Sequence, residues 1–204
     1  MSSRLMWIAP VLVTVACAGT PKASPAQTPP QATDTSKAIP IGLGTLKQDE
    51  FTMGLRSGSL LVKITPLDEA VIRLAAPDTY NRLRALRASR EKEAVARSAS
   101  DNAELFLVSF FSYEPDATFQ PEDVQLEYQG RLMRASAIMP LTPNWGKGRL
   151  AQQEIATAVY VFSDAMNFEQ PLVVRYGTDE NNEWQSIIPR LQVERGKITG
   201  RARN

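Results

Sequence analysis

The apolar run "AELFLVSFFSY", residues 103–113, constrains the fold more than any other stretch of the chain. It is short, continuous and rich in aromatic side chains, the pattern of a central strand in a sheet. Comparable segments follow at intervals of roughly 10 to 15 residues. In "DVQLEYQ" Val124, Leu126 and Tyr128 alternate with polar residues, and "RLMRASAIM", "EIATAVYVFS", "QPLVVRY" and "EWQSIIPRLQVE" continue the series. In the last, the apolar parity shifts from Trp184 and Ile188 to Leu191 and Val193 across Pro189, which predicts a strand with a bulge or break at the proline.

Upstream, "SGSLLVKITP" puts Leu60, Val62 and Ile64 on one face, and "EFTMGL" is a weaker strand, bringing the total to about eight. Short antiparallel strands joined by Gly, Pro, Asn and Asp turns predict a mainly β fold, an immunoglobulin-like antiparallel β-sandwich. The disulfide and tryptophan hallmarks of true immunoglobulin domains are absent, so the likeness is one of architecture. No internal repeat is present. With both ends discounted, the 204 residues suffice for one domain, spanning 42–196, followed by a basic tail at 197–204.

Between the early strands the period changes. "LDEAVIRLAAPDTYNRLRALRASREKEAVARSAS" is rich in helix formers, with acidic residues early and Pro77 placed for a first turn. It predicts an α-helical insertion at about 67–98, as a short helix near 67–75 and a longer one near 77–97. From Arg73 to Arg97 this insertion carries seven basic residues against three acidic ones. Tyr80, Leu83 and Leu86 cluster on one helical face, and Arg87, Arg90 and Arg97 fall on the same side. Arg84, Arg87 and Arg90 are therefore candidates for docking an anionic partner, against the simpler reading of a solvated helix with pairs such as Arg87 and Glu91.

A second candidate is the Pro- and Gly-rich connection "MPLTPNWGKGRLAQQ", residues 139–153, where Trp145 lies beside Lys147 and Arg149. An aromatic flanked by cations at the end of a sandwich can stack on a sugar or a peptide, or it can plug the open end. "GTDENNEW" clusters the oxygen-bearing residues Asp179, Glu180, Asn181 and Glu183, but its spacing is that of a hairpin turn rather than a calcium loop.

The chain contains no histidine, which removes the usual general base, every Ser-His-Asp or Cys-His arrangement and the commonest zinc ligand. It has no GxSxG, SxxK, phosphate-loop or dinucleotide motif, and no cofactor or metal is expected. With 23 basic and 22 acidic residues, no charge excess points to nucleic acid. A hydrolase using paired carboxylates is the one catalytic alternative that these observations leave open.

The N-terminus gives an address. "LMWIAPVLVTVACA", Leu5 to Ala18, is apolar, yet as a helix it rises only roughly 21 Å, short of the roughly 30 Å hydrocarbon core. With Arg4 before it and small residues after it, it reads as a secretory signal peptide, residues 1–16. "TVAC", Thr14 to Cys17, resembles the bacterial lipoprotein signal, with Thr14 where that motif usually has Leu, Val or Ile. The resemblance implies that Cys17 becomes an acylated first residue, and Ala18 after it implies export to the outer membrane. Ordinary cleavage after Ala18 is the rival. A solitary cysteine in an exported chain favours lipidation, because thioether linkage removes a thiol that has no disulfide partner.

Cys17 and the segment to residue 41 then form a Pro-, Thr- and Ala-rich linker that cannot bury enough surface to fold. It spans on the order of 25 Å as coil and roughly 70 Å extended. The sequence therefore predicts a lipid-anchored envelope protein with a non-catalytic interaction or assembly domain and an envelope protein partner. The alternative is binding of a small ligand or glycan at the Trp145 loop.

Overall fold

The run 103–113 forms the middle of the larger sheet. The computed structural model describes residues 39–202; the signal segment, Cys17 and the linker up to residue 38 lie outside the described residues, as do positions 203 and 204. Among the described residues the fold is mainly β, with eleven strands in antiparallel sheets and three α-helices. In chain order these are β1 (Met53–Ser57), β2 (Leu60–Pro66), α1 (Glu69–Ile72), α2 (Pro77–Ser98), β3 (Glu104–Ser112), β4 (Ala117–Thr118), β5 (Val124–Tyr128), β6 (Arg131–Arg134), β7 (Ala137–Pro140), β8 (Arg149–Leu150), β9 (Ile155–Phe162), β10 (Leu172–Tyr176), β11 (Asp179–Asn181) and α3 (Trp184–Arg201).

One sheet has the order β1-β2-β3-β9-β7 and the other β11-β10-β5-β6, while β4 and β8 form a small pair. On β3 the side chains of Phe106, Val108 and Phe110 face the second sheet, where Leu126, Val174 and Tyr176 answer them in one shared core. The rings of Phe110 and Tyr176 meet edge to face at 5.5 Å. Each such buried side chain contributes roughly 1.5–3 kcal/mol. The architecture is that of a β-sandwich with a C-terminal helix. Eleven strands replace the expected eight because β4, β8 and β11 are too short to leave an apolar pattern.

"RLMRASAIM" is two strands rather than one. β6 joins the smaller sheet through a tight turn at Gln129 and Gly130, whose φ of 51° and 73° match a type I′ hairpin. β7 joins the larger sheet, and Ser136 marks the crossing by donating from N and Oγ to Val161 O at 2.7 and 3.0 Å. The helical insertion expected at 67–98 is present as α1 and α2, with Pro77 opening α2.

The segment "EWQSIIPRLQVE" is not a strand. It belongs to α3, whose buried positions Trp184, Ile187, Leu191, Glu194 and Ile198 recur at helical spacing. The parity shift that suggested a bulge is the 3.6-residue period itself. Pro189 is exposed, so the Gln185 carbonyl that loses its helical donor faces water. Glu194 interrupts the apolar stripe, yet its carboxylate is buried and accepts from Thr45 N and Oγ1 at 3.0 and 2.7 Å. The expected basic tail is also helical as far as Arg201: Ile198 is fully buried, and Lys197 and Arg201 approach Glu194 at 3.4 and 3.7 Å. At the other boundary Ile39, assigned to the linker, is buried in the core.

Candidate interaction surfaces

The outer face of the five-stranded sheet is divided by α2. Arg82 on α2 donates to Gln48 at 2.6 Å, and Gln48 donates to Thr65 on β2. Beyond the other end of α2, Ser100 donates to Ser163 O just past β9. The helix thus crosses the strands from the β2 side to the β9 side, burying Tyr80, Leu83 and Ala94. On β9 the outward residues Ile155, Thr157, Val159 and Val161 record its coverage. Val159 and Val161 are 0% exposed, whereas Ile155 is 51% exposed.

The uncovered half carries a row of one residue per strand: Arg56 on β1 faces Leu61 on β2, Leu61 faces Phe111 on β3, and Phe111 faces Ile155 on β9. Tyr113, just past β3, is 41% exposed and meets the Phe111 ring edge to face at 4.9 Å. The Arg56 guanidinium lies over the Tyr113 ring, 4.8 Å from its centre, and makes no ion pair among the described residues. Between this row and α2 runs a more polar one, Gly54, Lys63, Ser109 and Thr157, with Lys63 held by Asp49 at 3.0 Å.

Arg84, Arg87 and Arg90 do not form one basic patch. Arg84 is exposed and reaches back over the Tyr80 ring. Arg87 turns inward, donating from Nη1 to Leu67 O at 2.8 Å and approaching Asp68 at 3.8 Å. Arg90 pairs with Glu93 at 3.3 Å. Beside Arg87, burial pushes the Glu104 carboxyl up to about 7, the nearby Asp68 charge adds to the rise, and Arg87 opposes it. Burial also raises Asp68, again against Arg87. Glu104 Oε2 is buried without a hydrogen-bond partner, so Arg87 serves as counter-charge to an internal carboxylate pair.

Trp145 is 7% exposed and lies edge to face with Phe110, Phe119 and Tyr160 at 5.7, 5.4 and 6.1 Å. Its ring is part of the core at that end of the sandwich. Lys147, together with Trp145, borders an open groove along Thr118–Glu122, while Arg149 points to Asp116 at 4.0 Å. In the "GTDENNEW" hairpin, Glu180 pairs with Arg175 at 2.9 Å and the Asn181 amide donates to Gly54 O at 2.6 Å, so these oxygen-bearing residues serve the two sheet edges.

Leu61, Phe111, Tyr113, Ile155 and Arg56 were not singled out by motif or spacing. The pointer was the apolar run itself: β3 is apolar on both parities, so both of its faces require cover. The chain matches no protein-family model, no curated protein and no solved structure.

Proposed function

We propose that this chain is a lipid-anchored envelope protein, held at the outer membrane through Cys17, whose β domain acts as a non-catalytic interaction module for another envelope protein. The anchor rests on the resemblance of "TVAC" to the lipoprotein signal and on the Pro-rich tether behind it. The observation that carries the module is the half-covered sheet face, where Leu61, Phe111 and Ile155 form a continuous apolar row beyond the reach of α2. A contiguous apolar surface rimmed by polar groups favours protein association. The glycan reading is the weaker one, because the Trp145 ring that would stack on a sugar is enclosed by three other rings.

Native electrophoresis of detergent-solubilised membranes tests this reading. The wild-type chain is expected in a complex larger than itself, and Ile155→Glu is expected to release it while the melting temperature stays within about 2 °C. A wild-type chain that migrates alone, or a complex indifferent to Ile155→Glu, contradicts the proposal. Mass spectrometry of the mature N-terminus is expected to show acylated Cys17; an unmodified start at Gly19 would remove the anchor.

A further inference from the structure

Resting on the interaction-module reading, we infer that the element covering the Arg56–Ile155 row is an amphipathic helix of a partner protein, with apolar side chains at helical spacing and a carboxylate where it meets Arg56. The sheet already accepts such an element, since α2 lies across the same face and in the same direction as the row. Val159 beneath α2 and Ile155 are four residues apart on one strand, about 13 Å. A second helix therefore fits beside α2 at the usual interaxial distance of about 8–10 Å. Four strands place the row's ends about 14 Å apart. Some ten residues of helix, about 15 Å, span that length and present apolar side chains at i, i+4 and i+7.

The charge fixes the partner's chemistry. Asp49 is engaged by Lys63, and Arg56 has no carboxylate of its own among the described residues, so its guanidinium stands at the rim of an apolar row without a counter-charge. A partner acid supplies one, with two donors available to each carboxylate. A second copy docked with its row alongside this one in the same direction would set Arg56 against Arg56. A sugar fares no better, because Arg56 occupies a face of Tyr113 and the Phe111 and Tyr113 rings stand at 81° rather than forming a flat platform. A β-strand partner would pair with a sheet edge, whereas this row runs across the strands.

The test is photocrosslinking of the full-length chain in cells that naturally make it. A benzophenone amino acid is placed at position 155 and, as a control on the exposed face of α2, at position 92. The expected result is a protein adduct from position 155 about tenfold above that from position 92, with Arg56→Glu lowering the yield by about tenfold and Arg56→Lys retaining most of it. The crosslinked segment is expected to show helical apolar periodicity with Asp or Glu at one end, and the melting temperature of Arg56→Glu to stay within about 2 °C of wild type. Adducts to a second copy, to lipid, to glycan or to an extended partner segment overturn the inference, as does a yield indifferent to Arg56→Glu. Crosslinking from position 92 instead would leave the module reading standing and this inference refuted. Absence of protein adducts from both positions would refute both.

Discussion

Ile155 and Val161 stand on the same strand, on the same side of the same sheet, yet one is half exposed and the other fully buried. The difference is α2, which covers one half of the face and stops short of the other. An apolar outward residue therefore does two kinds of work in this molecule. Under α2 it fastens a helix to the sheet; beyond α2 it lies open to solvent, on the surface we propose for a partner. Stability and recognition should accordingly separate when the two halves are mutated.

The largest effect is expected where the interior is opened outright. Trp145→Ala removes a ring packed on three others and should cost about 3–5 kcal/mol in chemical denaturation. A cost below about 1 kcal/mol would return Trp145 to the surface side of the comparison. Next, Leu83→Ala on the buried face of α2 should cost about 2–4 kcal/mol, because the helix and the sheet cannot both close over the missing side chain.

Glu104, at the start of β3 and within the influence of Arg87 on α2, gives this end of the sheet a pH dependence. Its folded-state value, about 7, lies above the ordinary 4.5, so the folded chain holds this proton more tightly than the unfolded one. The associated stability is fully present below about 4.5 and is lost as pH rises through about 7. The loss amounts to at most about 3 kcal/mol, and the raised Asp68 acts in the same direction. Glu104→Gln should flatten the fall in melting temperature between pH 5 and pH 8, a window set by that shift. An unchanged slope would show that Arg87 already compensates the carboxylate. The smallest effect belongs to the uncovered half: Ile155→Ala should change stability by less than about 0.5–1 kcal/mol in the same assay. A loss as large as that of Leu83→Ala would abolish the distinction between the halves.

The strands that position the surface were legible in two ways: β2, β5 and β10 alternate with a period of two, whereas β3 and β9 are apolar nearly throughout, and all five stand within the segments that read as strands. The insertion was legible through its helix formers and Pro77. α3 was not, since Pro189 argues against a helix and Glu194 interrupts the apolar stripe; the tertiary contact with Thr45, together with Lys197 and Arg201 on α3 itself, shows why a carboxylate belongs there. Among the candidate site residues, composition marked Trp145 and Arg87 as unusual but carried no information on the direction they turn. The Arg56–Ile155 row joins four strands separated by nearly a hundred residues, and it becomes a surface only once register is known.

Hydroxyl-radical footprinting of Phe111, Tyr113 and Ile155, in intact cells and on the purified full-length chain, tests the division of the sheet face most directly. These side chains should be reactive in the purified protein and protected by about tenfold in cells, with Val159 and Val161 protected in both. Equal reactivity of Ile155 in the two settings would mean that nothing covers the open half, and the account of this domain as an interaction module would fail.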